Sequence, residues 1–396
     1  MSKGDEMVKI NVGVIFGGRS VEHEISIISA LQAIHSIDRN KYNVVPIYIT
    51  KQGQFYTGEA LTEIENFKDL DQLVSRCKQI VIANHKGEIV ISEYPPSMFR
   101  KGRLGTLDVA LPVVHGTNVE DGTLQGYLEM LNLPYAGCNV LSSALGMDKI
   151  AMRMVLKEAG LPVLDYVWFY SKRWFSDPAG VYEEIESRLA YPVIVKPANS
   201  GSSVGVTPAA NREELEDALD LAASFSNRII VEPKVVNLRE INCSVLGDYE
   251  KAIPSVCEEP ISTEQILSYK DKYMGEGGKG MGGAKRRLPA DLPADQTAWI
   301  QELAVKTFHV LDCSGVSRID FLIDTASDQV YVNEINTIPG SLSYYLWEAS
   351  GKSFAELTEE LIQLALKRKR ERDNLVFSYE TNILAMKGKG GAKGIK

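Results

Sequence analysis

The stretch Ile10–Ile49 constrains the fold most. Ile10–Phe16 reads as a buried strand, and the pair Gly17-Gly18 turns it into an apolar helical stretch over about 24–37. A second strand follows at Val44–Ile49. Strand, turn, helix and strand make a βαβ crossover, whose two strands run parallel in one sheet. Leu107–Val114 is another buried-type strand, running into the segment His115-Gly-Thr-Asn-Val-Glu-Asp-Gly122. Residues 1–145 therefore read as an open parallel α/β domain, with ligand groups at the carboxyl ends of its strands. Residues 51–105 are more polar and show no clear pattern.

The rest of the chain follows another plan. A helix over about 142–159 stops at Gly160, with Pro162 beyond it. The strand Val193–Val195 leads into a loop of small residues, Ala198-Asn-Ser-Gly-Ser-Ser-Val-Gly205. Residues 212–224 have an amphipathic helical pattern, and Arg228–Glu232 reads as a strand. Glu240–Leu246 and Lys251–Val256 can pair antiparallel. Tyr273–Arg287 is so rich in glycine that it reads as a mobile loop. A helix near Asp295–Val310, strands at Ser317–Ile323 and Gln329–Ile335, and a helix at Ala355–Arg372 complete the pattern. The expected division is 1–145, 146–235, 236–380 and a basic, glycine-rich flexible tail, 381–396. The class is α/β, becoming α+β after the first domain.

Charge and cysteine usage narrow the partners. The 396 residues carry 43 basic against 52 acidic side chains, a net charge of −9, which suits neither nucleic acid nor an anionic membrane surface. No run of 18 apolar residues and no signal-type leader is present, so no membrane span and a cytoplasmic location are expected. The five cysteines form no C-x-x-C pair, which reads as reduced thiols without structural zinc.

The residues that carry chemistry cluster late. In Arg318-Ile-Asp320-Phe and Asn333-Glu334-Ile-Asn336, alternate residues share one face of a strand. Two adjacent strands would then present Asp320, Glu334, the Asn336 amide and the Arg318 guanidinium together. That is an all-oxygen donor set suited to Mg2+ held through a triphosphate. Lys196 closes a strand just before Ser-Gly-Ser-Ser-Val-Gly, where backbone N–H groups can cradle phosphate. A serine/glycine loop alone is usually just a turn, and no Walker A sequence is present. Lys196 before the loop and the carboxylate hairpin after it strengthen the phosphate reading. Lys149 is a second cation, and Glu232 and Glu240 can accept from an adenine amino group or a ribose hydroxyl.

The order of these motifs resembles the D-alanine–D-alanine ligase family of the ATP-grasp superfamily, over residues 9 to about 370. The matching segments are FGGRSVEHEIS at Phe16–Ser26, HGTNVEDGTLQG at His115–Gly126 and MDK at Met147–Lys149. VIVKPANSGSSVGV at Val193–Val206, Lys272-Tyr273, RIDF at Arg318–Phe321 and NEINTIPG at Asn333–Gly340 continue the series. The resemblance implies an N-terminal α/β domain followed by a two-subdomain ATP-grasp fold, a homodimer, and ATP with two Mg2+ (or Mn2+) ions. It implies that Glu22 holds the first D-alanine's ammonium, with His115 near its carboxylate. Ser202 and Tyr273 would join Glu22 in a triad that closes the loop over the site. Lys149, Lys196 and Lys272 would meet phosphate, and Glu232, Val235 and Glu240 would meet adenosine. Asp320, Glu334 and Asn336 would hold the metals, with Arg318 and the Gly340 N–H facing the oxyanion.

Three departures from the family pattern stand out. Pro233 follows Glu232 where lysine is common, and the glycine loop is long. Gly340-Ser-Leu-Ser-Tyr-Tyr345-Leu346 replaces a serine-bearing segment that meets the second substrate. Tyr345 and Leu346 thus become the expected second-substrate contacts. The second amino acid stays open between D-alanine and the D-serine used by similar ligases of vancomycin resistance.

Overall fold

The computed structural model describes residues 9–96, 102–201, 203–261 and 286–378. Among these, the first sheet comprises β1 (Ile10–Gly17), β2 (Tyr42–Ile49), β3 (Phe55–Thr57), β4 (Lys78–His85), β5 (Glu88–Glu93), β6 (Arg103–Leu107) and β7 (Val109–Pro112). Their order is β6-β5-β4-β3-β2-β1-β7. β1 lies between β2 and β7 and is parallel to both, with the helix His23–Ser36 as the crossover. The expected parallel arrangement is therefore the site end of the sheet. Residues 51–105 add an extension in which every ladder is antiparallel. Lys86 and Gly87 both take positive φ in the tight turn between β4 and β5, a hairpin geometry that a Lys-Gly pair hardly advertises. The expected strand Leu107–Val114 is split at Asp108, whose carboxylate accepts the Asn11 N–H at 2.7 Å.

The second sheet is β8 (Val167–Tyr170), β9 (Val193–Pro197), β10 (Thr207–Ala209) and β11 (Arg228–Pro233), antiparallel in the order β10-β9-β11-β8. The third is β12 (Leu238–Gly247), β13 (Ala252–Pro260), β14 (Arg286–Arg287), β15 (Gly315–Asp324) and β16 (Gln329–Asn336), in the order β14-β13-β12-β15-β16. Arg286 and Arg287, expected in a mobile loop, are thus strand residues. The rest of that loop and the tail 381–396 lie outside the described residues.

The expected helix over 142–159 is two helices, Val140–Met147 and Lys149–Glu158. Asp148 breaks it. Its backbone is extended, and its Oδ1 accepts the N–H groups of Ile150 and Ala151 at 3.1 and 2.9 Å, capping the second helix. Its other oxygen pairs with Arg228 of β11. Lys149 thereby becomes the first residue of a helix aimed at the second sheet. Met152 and Leu156 of this helix pack into the core of the third sheet. The helix Phe354–Asp373 sends Leu357, Leu361 and Ile362 back into the core of the first. Among the described residues no helix is long and apolar enough to cross a membrane.

Candidate active site

Register builds the carboxylate edge. Arg318 pairs with Asn336 and Asp320 with Glu334 across β15 and β16, so the four side chains share one face. Ile319, Phe321 and Ile335 point into the core behind them. Arg318 donates from Nε and Nη2 to both Asp320 oxygens at 2.6 and 2.7 Å. The Asn336 amide N–H donates to Asp320 Oδ2 at 3.1 Å, which leaves its amide oxygen as the donor atom for a cation. Two carboxylates facing each other beside that oxygen fit Mg2+ in kind and number, provided phosphate oxygens complete the shell. A cation here competes with Arg318 for Asp320.

Two lysines face this edge, Lys149 from the start of its helix and Lys196 from β9 of the second sheet. Lys149 Nζ donates to the Ser200 carbonyl at 2.6 Å, on the small-residue loop. Burial lowers its pKa, while Glu334 and Glu232 pull against that shift. Lys196 pairs with Glu232 at 2.5 Å and lies 3.4 Å from Asn333 Oδ1. Glu232 is buried and also pairs with Arg153. Burial raises the carboxyl's pKa, but Arg153 and Lys196 outweigh it and hold the group below the usual range. Glu232 thus sits between two cations rather than open to an adenine amino group. Val235 lies half-buried in the connection between β11 and β12, and Glu240 is half-buried on β12. Lys272, Tyr273 and Ser202 lie outside the described residues.

The first sheet supplies the opposite wall. The ends of β1 and β7 bring the Gly17-Gly18 turn beside His115 and Gly116. His23 braces the turn, with one ring nitrogen 2.7 Å from the Gly18 carbonyl and the other 2.9 Å from the Tyr48 hydroxyl. Glu22 is buried there. A Cβ on Gly116 would lie 2.8 Å from Glu22 Oε2, and one on Gly201 would lie 2.5 Å from it. Both motif glycines are therefore needed for close approach to this carboxylate, and Gly116 also has φ +82°. His115 Nδ1 lies 2.9 Å from the Ile338 carbonyl, so it carries the proton. Its Nε2 then accepts from the Ser29 hydroxyl at 3.0 Å, and Ser29 accepts the Ser341 N–H at 2.9 Å. His115 thus fixes the backbone on either side of Gly340 against the first sheet.

Glu120 and Glu258 carried no expectation, whereas Tyr345 and Leu346 are the expected second-substrate contacts. Glu120 accepts the N–H groups of Gly116 and Ile338, both at 3.0 Å. Burial, then the nearby Glu22, pushes its pKa up to about 8. Only its place in the HGTNVEDG segment could have marked it. Tyr345 is buried and donates to Glu258 Oε1 at 2.8 Å. Glu258 also accepts from Asn242 at 3.0 Å and from Arg286 at 3.1 Å. The Arg286 guanidinium lies 4.0 Å over the Tyr345 ring. Leu346 is fully enclosed. Cys138 is a buried packing residue, and all five cysteines are free.

The chain is similar to known proteins in sequence and fold. Residues 11–138 match the family model for the D-ala D-ala ligase N-terminus, and residues 155–363 match the model for its C-terminus. The chain is 41% identical over 380 residues to a D-alanine–D-alanine ligase of Thermosipho melanesiensis, covering 96% of this chain and 99% of that one. It is 40% identical to one of Acetivibrio thermocellus, covering 93% and 98%. Among solved structures, the D-alanine-D-alanine ligase from Coxiella burnetii superposes with TM-score 0.77 at 33% identity, covering 92% and 96%. The VanG D-Ala:D-Ser ligase from Enterococcus faecalis superposes with TM-score 0.76 at 32% identity, covering 90% and 100%. The chain belongs to the D-alanine–D-alanine ligase family.

Proposed function

We propose that the chain joins two D-alanines with ATP, through a D-alanyl phosphate, to supply the dipeptide of peptidoglycan precursors. It is an ATP-dependent carboxylate–amine ligase. The observation that carries the reading is the register setting Asp320 opposite Glu334, with Lys149 of the helix Lys149–Glu158 and Lys196 of β9 facing them. A carboxylate oxygen of the first D-alanine attacks the γ-phosphorus, and ADP leaves. The second D-alanine's amine attacks the acyl carbon, loses a proton, and inorganic phosphate departs with the bridging oxygen.

The chain's residues divide the work. Glu22 takes the first ammonium, and His115, neutral in its cage, orients the backbone around Gly340. Lys149 and Lys196 neutralise phosphate charge that builds in the transfer. Asp320, Glu334 and Asn336 would hold Mg2+, which supplies Lewis-acid neutralisation of the same charge. Arg318 and the Gly340 N–H face the tetrahedral oxyanion. For Lys272, Ser202 and Tyr273, outside the described residues, the proposed roles at phosphate and in the triad with Glu22 rest on the family resemblance alone, as does a cytoplasmic homodimer. D-Serine as the preferred second substrate is the less favoured reading.

Purified protein with ATP, Mg2+ and D-alanine should release phosphate and form D-Ala–D-Ala by mass. It should still form mainly that product beside equimolar D-serine. No dipeptide, or predominant D-Ala–D-Ser, overturns the reading.

A further inference from the structure

Arg153 lies in the middle of the helix Lys149–Glu158 and is 1% exposed, an unusual place for a side chain that stays charged. It reaches two sheets at once. It pairs with Glu232 at the end of β11. Its Nη1 donates to the Val332 carbonyl of β16 at 2.9 Å, and its Nη2 lies 3.4 Å from Asn333 Oδ1. Val332 and Asn333 directly precede Glu334, a candidate metal ligand. Glu232, equally buried, therefore sits between two cations, Arg153 and Lys196.

The two cations differ in what they can do. The Arg153 guanidinium is planar and enclosed, and it is held from two directions. Lys196 stands at the end of β9 on a flexible stem, with its side chain 12% exposed. The cluster holds one more positive charge than negative, beside the place where triphosphate is expected. If Lys196 leaves Glu232 for phosphate, the carboxylate needs another cation, because an unpaired charge at that depth is strongly disfavoured.

We propose that Arg153 is a positioning residue for nucleotide binding: it keeps Glu232 paired and ties it to β16, so that Lys196 is free to exchange from Glu232 to phosphate. This rests on the nucleotide site assigned above. Three variants test it: Arg153→Lys, Arg153→Met and the double variant Arg153→Met/Glu232→Gln. The readouts are KM for ATP, KM for D-alanine, unliganded melting temperature, and the melting shift given by Mg2+ with ADP.

Arg153→Met should raise KM for ATP about tenfold or more and shrink the ADP-induced shift, the scale of a lost charged hydrogen bond. KM for D-alanine should stay within about twofold, since Arg153 touches no part of that site. Arg153→Lys should fall between, because one ammonium cannot span Glu232 and both β16 acceptors. The double variant should regain unliganded stability but not ATP affinity. Should Arg153→Met fail to fold, the lysine and double variants carry the same comparison. An unchanged ADP shift and KM for ATP in a folded variant overturns the proposal. So does a parallel loss of ATP and D-alanine parameters with melting temperature, which is the mark of a purely structural residue. The ADP shift needs no turnover, so absence of dipeptide synthesis by the wild type would overturn the ligase reading while Arg153's role is still decided.

Discussion

His115 has both ring nitrogens engaged inside the protein, and burial lowers its pKa from 6.5 to about 4. Between those values the unfolded chain binds a proton that the folded chain does not. The stability is therefore complete above pH 6.5 and is lost as pH falls toward 4, by about 3 kcal/mol at ~1.4 kcal/mol per unit. Denaturant titrations from pH 7 to 4 should show a steeper acid slope in the wild type than in His115→Gln, where buried His23 and the paired carboxylates still contribute. Equal slopes would mean that the imidazole is not held neutral. Ser341, Leu342 and Ser343 are a second residue-scale feature, three consecutive non-glycine residues at φ between 51° and 53°. Each such conformation costs roughly 1–2 kcal/mol, and strain of this kind gathers at functional sites; these three residues directly follow Gly340, the proposed oxyanion donor. Ser343 also buries a hydroxyl without a hydrogen-bond partner among the described residues. Ser343→Gly should stabilise the protein by about 1 kcal/mol after the glycine's extra unfolded-state freedom is deducted, and thermal melts read this directly.

At the scale of elements, the β15–β16 hairpin presents the carboxylates, while the helix Lys149–Glu158 and the end of β9 present the cations. Asp320→Asn keeps an acceptor for Arg318 but removes the charge. It should cut turnover by ~100-fold or more and raise the Mg2+ concentration needed for half-maximal rate. Normal turnover at ordinary Mg2+ would remove Asp320 from the metal site. Gly201→Ala places a methyl against Glu22 and should raise KM for the first D-alanine. The hairpin was legible because the two-residue period of a strand fixes which side chains share a face, and Arg318, Asp320, Glu334 and Asn336 obey it. The break at Asp148 was not, because what ends the first helix there is a cap combined with a tertiary pair to Arg228, eighty residues away. Residues 51–105 were opaque for a similar reason. Short strands with half-polar faces acquire their pairing only beside neighbours.

Across the whole molecule, the site forms where three sheets meet, and its electrostatics depend on partners that no local pattern reveals. Arg153 looks like any helical surface cation until its neighbours on β11 and β16 are known. Glu258 looks like strand polarity until Tyr345, Asn242 and Arg286 close on it. That clamp joins β12, β13 and β14 to the helix Tyr344–Ala349, where the family's serine is replaced. Glu258→Gln keeps an acceptor for Tyr345 but loses the ion pair with Arg286. It should raise KM for the second D-alanine about fivefold, the scale of one weakened charged hydrogen bond, without changing KM for ATP. A change in KM for ATP alone would place the clamp elsewhere.

The central claim is that a D-alanine carboxylate is activated by phosphoryl transfer before the amine attacks. D-Alanine labelled with 18O in its carboxylate, turned over with ATP and Mg2+, tests it most directly. The account predicts one 18O in the released inorganic phosphate for each dipeptide formed, with ADP as the nucleotide product. Phosphate without label, or label in AMP, would contradict it.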